Sequence, residues 1–314
     1  MPTSTGGQSA PSENCFECRQ RLADEGKTSS DPAVQQAAAD MNRLNHDFEH
    51  AKLAEHVYED NKPPPQGWKT LDPSNPADRK QLAKMGIEPG DLSQNESNFR
   101  ARIYVPESPD SFGGKMKPTV VFKGTTLTSG EDWKNNLQQG VNYDSDYYRN
   151  AVRIGKNTRA SKADVEFAGH SLGGGLASAA SQASGKNATT FNSAGLHSNT
   201  VSKYGGTPQD SKVNAYRVEN EVLTGVQEQG GKGTLAAAGV GYRFGGIKGA
   251  VLGALGKVAV AAVAPDAIGD TYDVSGSGDP VTRHGMGVAK AGVREQIEST
   301  EEFLENALGI ECDC

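Results

Sequence analysis

The segment Gly169-His170-Ser171-Leu172-Gly173-Gly174 sets a serine between glycines in the spacing G-x-S-x-G. Val165-Glu166-Phe167-Ala168 before it reads as a strand, and the small residues Gly175 to Ala180 after it read as a helix. A serine on so sharp a strand-to-helix turn has its hydroxyl exposed at the end of a sheet, where it can act as a nucleophile. Only glycine fits on either side, because larger residues would clash across the turn. The Leu172 N–H opens the helix, where it can donate to an oxyanion.

Such a serine needs a base, and the chain has 6 His. His46, His50 and His56 share an N-terminal helical segment far upstream. His46 and His50 are four apart, but Glu49 is not where a zinc-protease glutamate would stand, so both are expected to be solvated. His170 lies inside the turn and points away from the serine hydroxyl. Nucleophile turns of this kind are followed by the acid and then the histidine. His284 comes late enough to leave room for an acid and is the expected base, with His197 second. The expected strand 213–218 ends at Glu219-Asn220-Glu221, which offers Glu221 and Glu219 as the acid; Asp266, Asp270 and Asp279 are further options. The acid orients the imidazole and stabilises its cation without taking the proton itself.

The elements that must position these groups follow from pattern. Strands are expected at 99–105, 119–123, 164–168, 188–192 and 213–218, and helices at 131–140, 144–159, 172–184, 196–203 and 286–307. An earlier helix starts at Asp31-Pro32, a cap followed by proline in the first turn, and runs to about Asp60. Strands alternating with helices give an α/β fold with a mostly parallel sheet covered on both faces. Residues 1–30 are polar and read as a mobile leader, which leaves one catalytic domain over 31–314. Within it, 225–278 form a Gly/Ala-rich insert, a helical hairpin that could act as a lid or interfacial segment. Lys248 and Lys257 interrupt its apolar runs, so neither reaches the ~18 residues of a spanning helix.

Composition removes several classes. The 314 residues carry a net charge of −7, with 39 Asp+Glu against 32 Lys+Arg and no basic run, which argues against a nucleic-acid partner. The mean hydropathy of −0.60 argues against an integral membrane protein. Met1 to Ala10 lack the basic and apolar regions of a signal peptide, so synthesis in the cytoplasm and export without a cleaved signal are expected. No metal or cofactor is called for; Asp144-Ser145-Asp146 reads as the solvated first turn of a helix. The 4 Cys stand at the ends, as Cys15-x-x-Cys18 and Cys312-x-Cys314. They could form one zinc site, disulfides in an oxidising compartment, or free thiols on frayed termini.

Three blocks resemble the class 3 lipases, serine esterases of α/β-hydrolase fold. Val120-Val121-Phe122-Lys123-Gly124-Thr125 with Glu131-Asp132-Trp133 and Leu137 looks like that family's F-R-G-T and D-W block. The serine turn matches residue for residue, and Arg217-Val218-Glu219-Asn220-Glu221-Val222-Leu223 resembles its R-V-x-N…D-x-V. The resemblance implies that Thr125 joins Leu172 in an oxyanion hole and that Glu221 replaces the usual Asp as the triad acid, after a short deletion. More loosely, Glu221 to Thr224 and Arg283 to Met286, with the Gly/Ala insert between them, look like bacterial antibacterial phospholipase effectors delivered by contact-dependent secretion. That likeness implies phospholipase A1-like hydrolysis at a phospholipid membrane surface, release into a target cell or its periplasm, a secretion-machine component and a cognate immunity protein. Two other readings stand beside it: a soluble acyl esterase or thioesterase, and a membrane-permeabilising toxin acting through residues 234–265.

Overall fold

A computed structural model of the chain describes residues 15–93, 99–124, 146–223 and 267–312. Its contacts divide the chain into two compact units, Met1–His46 with Arg294–Cys314, and Asp47–Val293, a finer division than one domain over 31–314.

The second unit holds the sheet. Among the described residues it has seven strands in chain order: β1 (Trp68–Thr70), β2 (Ala101–Pro106), β3 (Thr119–Phe122), β4 (Glu166–His170), β5 (Ala188–Phe191), β6 (Val213–Val218) and β7 (Asp270–Val274). The first two pairings are antiparallel and the four from β3 to β7 are parallel. Parallel neighbours need crossovers, and right-handed crossovers that always step the same way put their helices on one face. Among the described residues three helices belong to those crossovers: α5 (Asp146–Ala160), α6 (Leu172–Ser184) and the short α7 (Thr200–Lys203). Alternate strand residues Val120, Phe122, Phe167, Ala188 and Val213 form one buried cluster with Ala151, Ile154, Leu172 and Leu176 of α5 and α6.

The opposite face is more polar. Helix α2 (Pro32–His56) starts where Asp31 caps it, the side chain accepting from the Ala33 N–H at 2.8 Å. From Asp47 onward α2 meets the sheet through hydrogen bonds. The buried Asp47 carboxylate accepts from Thr189 (2.9 Å), Asn214 (2.7 Å) and the Tyr216 hydroxyl (2.9 Å). His50 lies within hydrogen-bond range of Thr189 and Thr119 and is 1% exposed, so the expectation that it is solvated fails. The sheet face supplies polar partners at matched register, which sequence spacing on α2 alone does not reveal. The mostly parallel α/β sheet with helices on both faces therefore holds.

The first unit combines α1 (Cys15–Gly26), the N-terminal part of α2 and the end of α9 (Met286–Leu308). The leader expected over 1–30 does not hold over its second half. Phe16, Leu22 and Ala23 of α1 are buried, and Cys18 is joined to Cys312 in a disulfide. Arg19 pairs with Glu301 at 3.1 Å, and Asn45 donates to the Phe16 carbonyl at 2.9 Å.

Other boundaries shift. The helix expected at 196–203 shrinks to α7, and α3 (Pro76–Lys84), capped by Asn75, and the short α4 (Pro89–Leu92) lie between the helix expected to about Asp60 and the strand expected from 99, where the pattern places no element. The expected helix 131–140 and most of the insert, residues 225–266, lie outside the described residues, while the end of the insert contains β7. Among the described residues no helix is long and apolar enough to cross a membrane.

Candidate active site

The serine turn is built by close approach. A Cβ on Gly169 would come within 2.2 Å of the Gly173 carbonyl oxygen, and one on Gly173 within 2.2 Å of the Phe122 carbonyl oxygen. Ser171 itself sits at φ 58° and ψ −126°, a strained conformation for a residue with a side chain. Its N–H donates to the Phe191 carbonyl at 3.0 Å, and its own carbonyl accepts from Ala194 at 2.9 Å. These bonds tie the strained residue to the segment after β5. Two asparagines share positive φ at neighbouring strand ends, Asn192 after β5 (42°) and Asn220 after β6 (58°). Strained backbone thus collects along the carboxyl edge of the parallel strands, where the chain must turn side chains inward.

That edge assembles one line of hydrogen bonds. Ser171 Oγ lies 2.9 Å from His284 Nε2, and His284 Nδ1 lies 2.7 Å from Glu221 Oε2. All three residues are buried, at 4%, 1% and 1% exposure. A carboxylate only accepts, so Nδ1 of the neutral ring carries the proton and Nε2 presents its lone pair to the serine hydroxyl. Glu221 Oε2 also accepts the Leu223 N–H at 2.8 Å, which holds the carboxylate against the ring. Leu172 is the first residue of α6, so its N–H has no carbonyl one turn back in the helix and can serve an oxyanion. The arrangement can carry nucleophilic acyl transfer, with Ser171 attacking, His284 moving the proton and Glu221 orienting the base.

The alternatives separate cleanly. His197 is exposed, and so are Glu219 and Asp270. Asp279 caps the short helix α8 (Pro280–Arg283), accepting from the Val281 N–H (2.9 Å) and the Thr282 N–H (3.2 Å). Those donors hold its carboxyl below the usual range. Its part is to start the turn that delivers His284. Thr125 and Asp266 lie outside the described residues. In the first unit Cys18 and Cys312 are engaged as a disulfide rather than as zinc thiolates.

His170 does more than point away from the serine. Its Nε2 is 2.6 Å from the His284 carbonyl, and its Nδ1 is 3.1 Å from the Tyr58 hydroxyl. Burial, with the His284 ring beside it, holds its pKa down to about 3. Burial also pushes the Tyr58 hydroxyl well above its ordinary value. Asn192 donates to the carbonyls of Arg283 and His284, both at 3.1 Å, and accepts the Val218 N–H at 2.8 Å. Sequence reasoning misses Tyr58 and Asn192. For Asn192 the available signal is an amide directly after an apolar strand; Tyr58 has no local signal.

Residues 49–278 match the model of the Tle-like phospholipase domain, a phospholipase-like family. An extracellular phospholipase A1 of Serratia liquefaciens is 34% identical over 190 residues, covering 58% of this chain and 54% of that protein. The chain thus spans about half the length of the curated relative it matches. The matched span takes in the serine turn, Glu221 and β1 to β7, well over half of the sequence, and the chain belongs to the Tle-like phospholipase domain family.

Proposed function

We propose that this chain is a serine phospholipase of the A1 type that hydrolyses carboxylic esters of membrane phospholipids. The observation that carries the reading is the buried line Ser171–His284–Glu221 in a chain of a phospholipase family. Ser171 Oγ attacks the ester carbonyl as its proton passes to His284 Nε2. The negative oxygen is held by the Leu172 N–H together with Thr125, the latter by resemblance to the class 3 lipases. Collapse breaks the ester C–O bond, and the imidazolium returns its proton to the departing alkoxide of the lysophospholipid. Water, deprotonated by the same ring, then cleaves the acyl-serine and releases the fatty acid. Glu221 stays ionised and stabilises the imidazolium in both steps.

The chain is further read as a secreted antibacterial effector, which its extracellular relative supports in part. In that role it needs a secretion-machine component for delivery and a cognate immunity protein in the producing cell. The deciding experiment is mass spectrometry of products from mixed phospholipid vesicles, native chain against Ser171→Ala. Free fatty acid from the sn-1 position, lost in the variant, is expected. Equal hydrolysis by the variant sinks the serine mechanism. Turnover of short soluble esters alone favours an acyl esterase, and dye leakage by Ser171→Ala favours permeabilisation.

A further inference from the structure

The backbone carbonyl of His284 is a meeting point for the carboxyl ends of four strands. It accepts from His170 Nε2 at 2.6 Å, just where β4 ends, and from Asn192 Nδ2 at 3.1 Å, just past β5. Asn192 Oδ1 in turn accepts the N–H of Val218, the last residue of β6, three residues before Glu221. On the other side, His170 Nδ1 meets the Tyr58 hydroxyl, which also takes the Gly124 N–H at 3.1 Å, two residues past β3.

The donors and acceptors in this chain can be assigned one way. A carbonyl oxygen only accepts, so His170 Nε2 carries a hydrogen. The ring is buried beside a second imidazole and stays neutral, which leaves Nδ1 bare. Tyr58 must therefore donate its hydroxyl proton to Nδ1, and its oxygen is left to accept from Gly124. Among the described residues, the charged and titratable groups facing this pair are these. Lys123 Nζ lies 5.7 Å from the centre of the Tyr58 ring, and on the far side of His170 stands His284 with Glu221 behind it. None of them can take Tyr58's place as the donor to Nδ1 while keeping its own bond described here.

We propose that Tyr58 and His170 are positioning residues that fix the His284 carbonyl, and through it the register of the base between Ser171 and Glu221, with Asn192 as a second anchor from the acid's side. Tyr58 makes His170 a one-way donor. The opposite tautomer would set a lone pair against the His284 carbonyl and push the base off its line. The inference rests on the serine mechanism proposed above for its kinetic consequence, but the tautomer itself does not.

The test compares Tyr58→Phe, His170→Leu and His170→Gln by kcat and KM on phospholipid vesicles and by ¹⁵N NMR of the histidine rings. Tyr58→Phe and His170→Leu are expected to lower kcat about tenfold to a hundredfold with KM little changed, the size of effect that follows a displaced catalytic group. His170→Gln keeps an N–H at the position of Nε2 and should recover most of the loss. In the unmodified protein His170 should give the neutral Nε2–H signature at about pH 5, well below where a free histidine protonates. A His170 in the Nδ1–H form or charged at that pH overturns the proposal. So does Tyr58→Phe with unchanged kcat. A serine mechanism that failed through Ser171→Ala would leave the NMR result standing, so the two failures are distinguishable.

Discussion

Glu221 is where residue-scale reasoning was weakest in the sequence and is firmest in the structure. Five carboxylates lie between the serine and the histidine as candidates, and spacing does not rank them. Among the described ones burial and direction do: Glu221 is 1% exposed and 2.7 Å from His284 Nδ1, whereas Glu219, two residues earlier, faces solvent. Glu221→Gln keeps the volume and an oxygen for the Leu223 N–H. It removes the charge that stabilises the imidazolium, and its amide can hold the ring in the wrong tautomer. We expect kcat to fall roughly 10³- to 10⁴-fold with little change in KM, as for the loss of charge at a triad acid. Glu219→Gln should leave kcat within about twofold, as exposed substitutions generally do. Steady-state kinetics on one phospholipid decides it; equal losses from both variants would remove Glu221 from the role. The proposed serine and base are legible because a turn that admits only glycine, and a required chain order, leave a trace in one dimension. Tyr58, His170 and Asn192 act through a backbone carbonyl more than ninety residues away from each, and no local pattern records such a partner.

At the scale of elements, the parallel core was legible and its edges were not. Strands β3 to β6 are apolar, β-branched or aromatic runs between turn residues, and 213–218 matches to the residue. The three-residue β1 has too little sequence for a pattern, and β7 is largely exposed, an edge whose Asp-Thr-Tyr-Asp-Val reads as loop without its neighbour. The seam between α5 and α6 shows how the glycines serve packing away from the site. A Cβ on Gly155 would meet the Ala180 carbonyl oxygen at 2.4 Å and the Ala183 Cβ at 2.9 Å. Alanine in a helix interior is ordinarily worth about 1 kcal/mol over glycine. Here the added methyl has backbone in its way, and overpacking of this kind costs about 1–3 kcal/mol. Gly155→Ala should therefore lower the denaturation midpoint, by a net 0 to ~2 kcal/mol of stability on those two figures. A clear rise in midpoint would show that the two helices separate without cost.

At the scale of the molecule, the first and last described segments belong to a unit of their own, in which Cys18 is joined covalently to Cys312. Cys18 and Cys312 are 294 residues apart in sequence, so in the unfolded chain their bond closes a very long loop. Loop-closure entropy grows slowly with length, and removing a native disulfide of this kind costs about 2–5 kcal/mol. The effect belongs to the helices that the bond joins. Helix α1 buries only a few apolar side chains, Phe16, Leu22 and Ala23 among them, and Gly26 lets Ala38 of α2 approach closely. So small a helical cluster depends on a staple more than a large core does. Disulfides persist outside the reducing cytosol, so this unit should tighten in an oxidising compartment, in keeping with the secreted role proposed above. In Cys312→Ser, or in the native chain under reductant, α1 amides should exchange with deuterium roughly thirty- to several-thousandfold faster, the factor that 2–5 kcal/mol of lost protection corresponds to. Amides of β4 and β5, in the other unit, serve as the internal reference. If α1 exchange were unchanged while mass spectrometry confirmed the open thiols, the helix would be held by its apolar contacts alone, and the bond would have no part in keeping the first unit folded.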